Sequence, residues 1–224
     1  AFLDARGDGK RDDEHVEPII EAHLLAAGEA GRHDRAWGIA MTPDAGRRAA
    51  EHLEAAYDLA DDASQRLAVA ARLVRHLAVE RNDREAAEAI HAALDESVDS
   101  RRLDEAGRQA KRRILVAIGD GHLAAGRFDA ARSRFDAAEQ MRARRIPKAV
   151  RAAKIGRYPD HLDDLLGKGD LDGTRTVLNE WLSDFPLDRM RGEPLFYAGK
   201  LAVAEGRPVA AIRALGVAIE LGEG

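Results

Sequence analysis

The sequence predicts an all-α chain built from antiparallel helix hairpins, and three observations predict it. Alanine, leucine, arginine and glutamate dominate while aromatic residues make up only 4%, which favours closely packed helices over a sheet with a bulky core. No alternating run of β-branched residues is long enough for a strand. The third is a recurring punctuation, clearest at Ile118, Gly119, His122, Gly126, Phe128, Ala131, Phe135 and Ala138. Counted from the turn at Gly126, these are offsets −8, −7, −4, 0, +2, +5, +9 and +12. Ala198, Gly199, Ala202, Gly206, Pro208, Ala211, Leu215 and Ala218 fall on the same offsets. A helix, a glycine turn and a second helix with small residues at fixed places form a stacking unit.

The elements follow in order. Residues 1–13 are polar and glycine-containing and read as a linker. A first helix is expected over 14–28, with Ile19, Ile20, His23, Leu24 and Ala27 on one face and Pro18 tolerated near its start. Gly31 and Pro43 bracket a short helix over 35–40. From Asp44 to Leu59 a helix presents Ala49, Leu53, Ala56 and Tyr57, and Asp61-Asp62 ends it and caps the next, over 63–80. Asn82-Asp83 is a turn and cap before a helix over 84–94. A long helix over 100–125 carries Leu103, Ala106, Ala110, Ile114, Ala117, Ile118 and His122 at helical spacing, and 128–143 folds back on it. Pro147 and Pro159 delimit a short basic helix. Helices over 162–166, 171–183, 194–204 and 209–221 complete the array, with Gly or Pro at nearly every break.

At these residues the chain resembles the tetratricopeptide repeat family, whose unit places small residues where its paired helices touch. A third copy reads Leu162, Leu165, Gly169, Leu171, Thr174, Leu178 and Trp181, with Pro186 where the family ends its second helix. A fourth is degenerate: Val74, Ala78, Asn82, Ala87 and Leu94, with Arg84 and His91 at positions that should be apolar. The four turns are 44, 43 and 37 residues apart, longer than the 34-residue family period, so helices or loops exceed the family standard. The resemblance covers roughly 65–221 and implies a right-handed superhelical solenoid, with repeats over about 63–98, 100–145, 155–186 and 192–221. Residues 14–62 would then be a degenerate repeat or a cap.

Composition bounds the chemistry. There is no cysteine, which excludes disulfides and thiolate metal sites. No apolar run of 18 residues exists, so no membrane span is expected. Ala1 is not an initiator and the chain stops just after a helix, so it reads as a fragment of a longer, bacterial-type protein. The net charge of −5 is segregated. Residues 1–100 hold 12 basic and 22 acidic side chains, 101–157 hold 16 and 6, and 158–224 hold 7 and 12, giving −10, +10 and −5. Arg112, Arg113, Arg144, Arg145 and Arg151 head a basic band within 101–157, expected to meet an acidic partner or the chain's own acidic third. Nucleic acid is disfavoured, because only Tyr158 lies near enough to supply stacking.

Catalytic signatures are absent. No nucleophile elbow, phosphate loop or dinucleotide fingerprint occurs. The adjacent pairs Asp61-Asp62 and Asp163-Asp164 diverge by about 100° on a helix. Eight histidines include no pair at chelating i,i+3 or i,i+4 spacing, and His122 is expected to pack between helices. Asp4, Asp8, Gly9 and Asp12 echo a calcium loop, but Arg6 and His15 stand where ligands are needed. The reading calls for no cofactor and no metal.

The family resemblance instead implies a groove lined by the first helix of each hairpin. Its exposed positions map onto Arg72 and His76, Arg113 and Asp120, Asp163, and Phe196 and Lys200. The family's clamp for a peptide carboxyl end needs Lys and Asn from successive repeats; Val116 and Asp120 depart from it, which leaves an extended polar peptide as the expected ligand. The function so implied is a non-catalytic scaffold for protein–protein interaction. Regulation in cis of an enzyme or receptor domain, or anionic-polymer binding through the basic band, stand as alternatives.

Overall fold

The structure is a computed structural model and describes residues 16–30, 43–141 and 148–222. The polar linker over 1–13 with its calcium-like aspartates, the short helix over 35–40, and Arg144 and Arg145 lie outside the described residues. The described chain is helical and contains no strand. Its helices are α1 (Val16–Ala30), α2 (Pro43–Leu59), α3 (Ala63–Arg75), α4 (Arg84–Ser97), α5 (Glu105–Ala124), α6 (Phe128–Gln140), α7 (Lys148–Ile155), α8 (Tyr158–Gly167), α9 (Leu171–Asp184), α10 (Gly192–Ala204) and α11 (Pro208–Gly222). Two short elements were not legible beforehand, a π-turn at His76–Glu80 extending α3 and a 3₁₀ turn at Pro186–Met190.

Local chemistry sets the helix boundaries. Asp62, Asp83, Asp104 and Asp170 each accept a hydrogen bond from the backbone N–H three residues on, at 2.9, 3.1, 2.7 and 2.8 Å. Each thereby satisfies one of the orphan donors of a helix start. The long helix α5 accordingly begins after Asp104 rather than near residue 100. At the other ends, Asn82, Gly126, Gly169 and Gly206 have φ of 58°, 69°, 71° and 68°. The residues after the three glycines, Arg127, Asp170 and Arg207, donate backbone bonds five residues back, to His122, Leu165 and Ala202. That bond closes a Schellman turn, which needs the left-handed conformation that glycine adopts without strain. At Asn82 the bond runs one residue further, from Asp83 to Leu77, because the π-turn inserts an extra residue before it.

Two compact units divide the chain, Ala1–Arg134 and Phe135–Gly224, with the division inside α6. In the first, α1 pairs with α2, and α3 packs chiefly on α5 and also on α2 and α4. Leu67, Leu73, Val74, Leu94, Ile114 and Ile118 form its centre. Gly121 of α5 touches the π-turn so closely that an added Cβ would lie 2.8 Å from the Ala78 carbonyl oxygen. In the second unit α8 pairs with α9 and α10 with α11. Tyr158 and Trp181 stack there at 5.1 Å, surrounded by Leu162, Leu178, Phe185 and Leu201.

Ala131 and Ala211, the small residues at offset +5, are 0% and 3% exposed. Ala131→Leu and Ala211→Leu should each overpack and cost about 1–3 kcal/mol. Thermal denaturation checks this, and variants that melt with the parent would show the register to be wrong.

Candidate functional site

Of the groove positions mapped from sequence, the structure assembles Asp163, Phe196 and Lys200. Asp163 is exposed on α8, a helix started at Tyr158-Pro159 and stopped by the turn at Gly169. Tyr197 and Lys200 lie one turn apart on α10, which brings both to the same carboxylate. The Tyr197 hydroxyl donates to Asp163 Oδ2 at 2.9 Å, and Lys200 Nζ donates to Oδ1 at 2.6 Å. The Lys200 ammonium also stands 5.3 Å from the Phe196 ring centroid and 5.2 Å from that of Tyr197. The two rings meet edge to face at 5.6 Å.

The electrostatics follow from these contacts. Burial and then the Asp163 carboxylate push the Tyr197 phenol up to about 12, so it stays a hydrogen-bond donor. Bonds from Lys200 and Tyr197 hold the Asp163 carboxyl below its ordinary range. Phe196 remains 47% exposed beside the ammonium. An exposed aromatic ring next to a fixed, partly satisfied cation is a surface for ligands with both apolar and anionic or carbonyl groups. Tyr197 was missed in the sequence, although its place three residues before Lys200 marked it as sharing that face.

The remaining groove positions belong to the first unit. Arg72 on α3 and Arg113 on α5 are exposed, and Asp120 is half-buried. His76 corrects the mapping: it is 4% exposed. Its Nε2 lies 2.9 Å from the Gly46 carbonyl and its Nδ1 2.8 Å from Glu80, so it ties α2 to the π-turn and lines no groove. The extra residue in that turn shifts the positions at and before its start out of the register counted back from Asn82.

The basic band is also corrected. Arg151 is half-buried, donates to Glu139 and to Asp188 at 2.9 Å each, and lies 5.0 Å over the Phe185 ring. Burial opposes its charge, but the Glu139 and Asp188 carboxylates outweigh this and hold its pKa above the ordinary value. Its guanidinium is therefore spent inside the second unit. Lys111 is likewise buried, against Asp95 and Ser100. Arg113 is exposed and Arg112 half-buried.

His122 of the clearest copy and His91 of the degenerate one both lie in buried, polar surroundings. His122 is buried with Nε2 3.0 Å from Glu88, which also receives Arg134 at 2.6 Å. His91 is 6% exposed, and burial pushes its pKa down, keeping the imidazole neutral. Among the described residues no group of three or more His, Cys, Asp or Glu side chains is arranged to hold a metal ion. None of the described helices is long and apolar enough to cross a membrane. No protein-family model matches the chain, and no match emerges among curated proteins or solved structures.

Proposed function

We propose that this chain is a non-catalytic helical-repeat scaffold, a tetratricopeptide-like solenoid that binds a protein or an extended peptide on the α8–α10 face. The observation that carries the reading is the joining of Asp163, 34 residues from Tyr197 and 37 from Lys200, to the next hairpin's first helix. Successive hairpins thus contribute to one exposed face, with Phe196 as its apolar anchor. The matching left-handed turns at Asn82, Gly126, Gly169 and Gly206 support the repeat architecture. Anionic-polymer binding through the basic band loses support, since Lys111 and Arg151 are paired internally.

The test is site-specific photocrosslinking of the full chain in its host cells, with the photoreactive residue at Phe196 and, as control, at exposed Thr176 on α9. A discrete protein adduct is expected at Phe196 and not at Thr176. Lys200→Ala should weaken retention of that protein about tenfold or more while costing under about 1 kcal/mol of stability, the worth of one exposed ion pair. Equal labelling at both positions would sink the proposal.

A further inference from the structure

Helix α11 turns an uncovered apolar stripe to solvent. Val209, Ile212 and Ile219 are 72%, 74% and 62% exposed. Gly216 lies between them, and a Cβ added there would meet nothing within 4 Å. The spacing of 209, 212, 216 and 219 puts all four on one helical face. At the corresponding positions of the preceding hairpin, counted from Gly169 rather than Gly206, the exposed residues are the polar Asp172, Arg175 and Asn179. Leu182, equivalent to Ile219, packs against the core, and Arg175, equivalent to Ile212, pairs with Glu205.

The charges beside the stripe indicate what covers it. Arg213 and Glu220 are the only charged residues of α11, both are exposed, and both lie on the same margin of the stripe. They are seven residues apart, as are Ile212 and Ile219 on the other margin. A two-fold axis passing between residues 216 and 217 satisfies both pairs at once. It sets Arg213 opposite Glu220 of a second copy, and Ile212 beside Ile219 of that copy, offset by about 3 Å along the helix. Antiparallel helices related in this way keep like margins together, so charge meets opposite charge and apolar meets apolar. Gly216, without a side chain, sits where the two backbones approach.

We propose that this face is a two-fold interface at which α11 packs antiparallel on α11 of a second copy of the chain, crossing at Gly216. A pair of single helices is smaller than a standard interface, so dissociation in the micromolar range is expected. The experiment is sedimentation equilibrium of the complete chain over about 1–200 µM, the range suited to so small an interface. The mass should rise from one chain to two. Ile212→Asp should hold it at one throughout, with an unchanged circular dichroism spectrum.

The decisive arm is a charge exchange. Arg213→Glu and Glu220→Arg should each weaken association at least about tenfold, because each sets like charges across the axis. An equimolar mixture of the two variants should associate again, since opposite charges then face each other at both pairs. A parent chain that stays monomeric to the highest concentration overturns the proposal. So does a mixture no better than either variant alone, whatever its parent does.

Discussion

Asp188→Ala is expected to cost about 3 kcal/mol, because a single buried carboxylate serves three elements of the second unit. Asp188 is 1% exposed in the 3₁₀ turn after α9. Its Oδ2 accepts from the Trp181 indole N–H at 2.8 Å, and its Oδ1 from Arg151 of α7 at 2.9 Å. Trp181 is itself 0% exposed, so truncation strands its N–H away from water, at about 1–3 kcal/mol. Loss of a charge-assisted bond to Arg151 adds about 1.5–3 kcal/mol, moderated because Glu139 still holds that guanidinium. Asp188→Asn keeps an oxygen for the indole but turns an amide on Arg151 or the reverse, and should fall between the parent and the alanine variant. Urea denaturation followed by circular dichroism measures the series. A cost under about 1 kcal/mol for the alanine variant would mean that water reaches the site and that the network is not the tie described.

Gly121→Val should cost about 3 kcal/mol, by contact with backbone rather than with a side chain that could move aside. Glycine inside a helix is about 1 kcal/mol worse than alanine, so its presence in the middle of α5 calls for a reason. The reason is distance. A Cβ at 121 would lie 2.8 Å from the Ala78 oxygen and 3.1 Å from the Ala78 Cβ. To accept a branched side chain, α5 must withdraw from the π-turn, opening the centre around Ile114 and Ile118. Gly216→Ala is the control with the opposite sign. Its Cβ meets open space, so it should gain about 0.5–1 kcal/mol when assayed on dilute, monomeric chain. The two alanine or valine effects having the same sign would contradict the packing of α5 on the π-turn.

The candidate site was half legible in the sequence. The family resemblance, counted from the turns, implied Asp163, Phe196 and Lys200 as positions of one groove, and the structure makes these three side chains neighbours. The count failed at His76, where the π-turn adds a residue that no local signal announced. It failed again for Arg151, because a run of basic residues in sequence says nothing about which acids fold against it. Asp188 lies 37 residues from Arg151, and only the packing of the 3₁₀ turn against α7 brings them together.

By itself the sequence determined what depends on neighbours along the chain. The helical class, the aspartate caps at 62 and 83, and the left-handed turns at Asn82, Gly126, Gly169 and Gly206 all rest on interactions within about six residues. Tertiary structure alone decided the fate of each charge and each apolar face. Whether a cation is solvated, like Arg113, or consumed, like Lys111 and Arg151, depends on carboxylates far away in sequence. Whether an isoleucine is core or surface depends on the helix that comes to lie on it. The periodicity of α11 promised a packed helix, yet Ile212 and Ile219 face water, because within the described chain α10 covers the opposite side of α11 and no other helix covers this one.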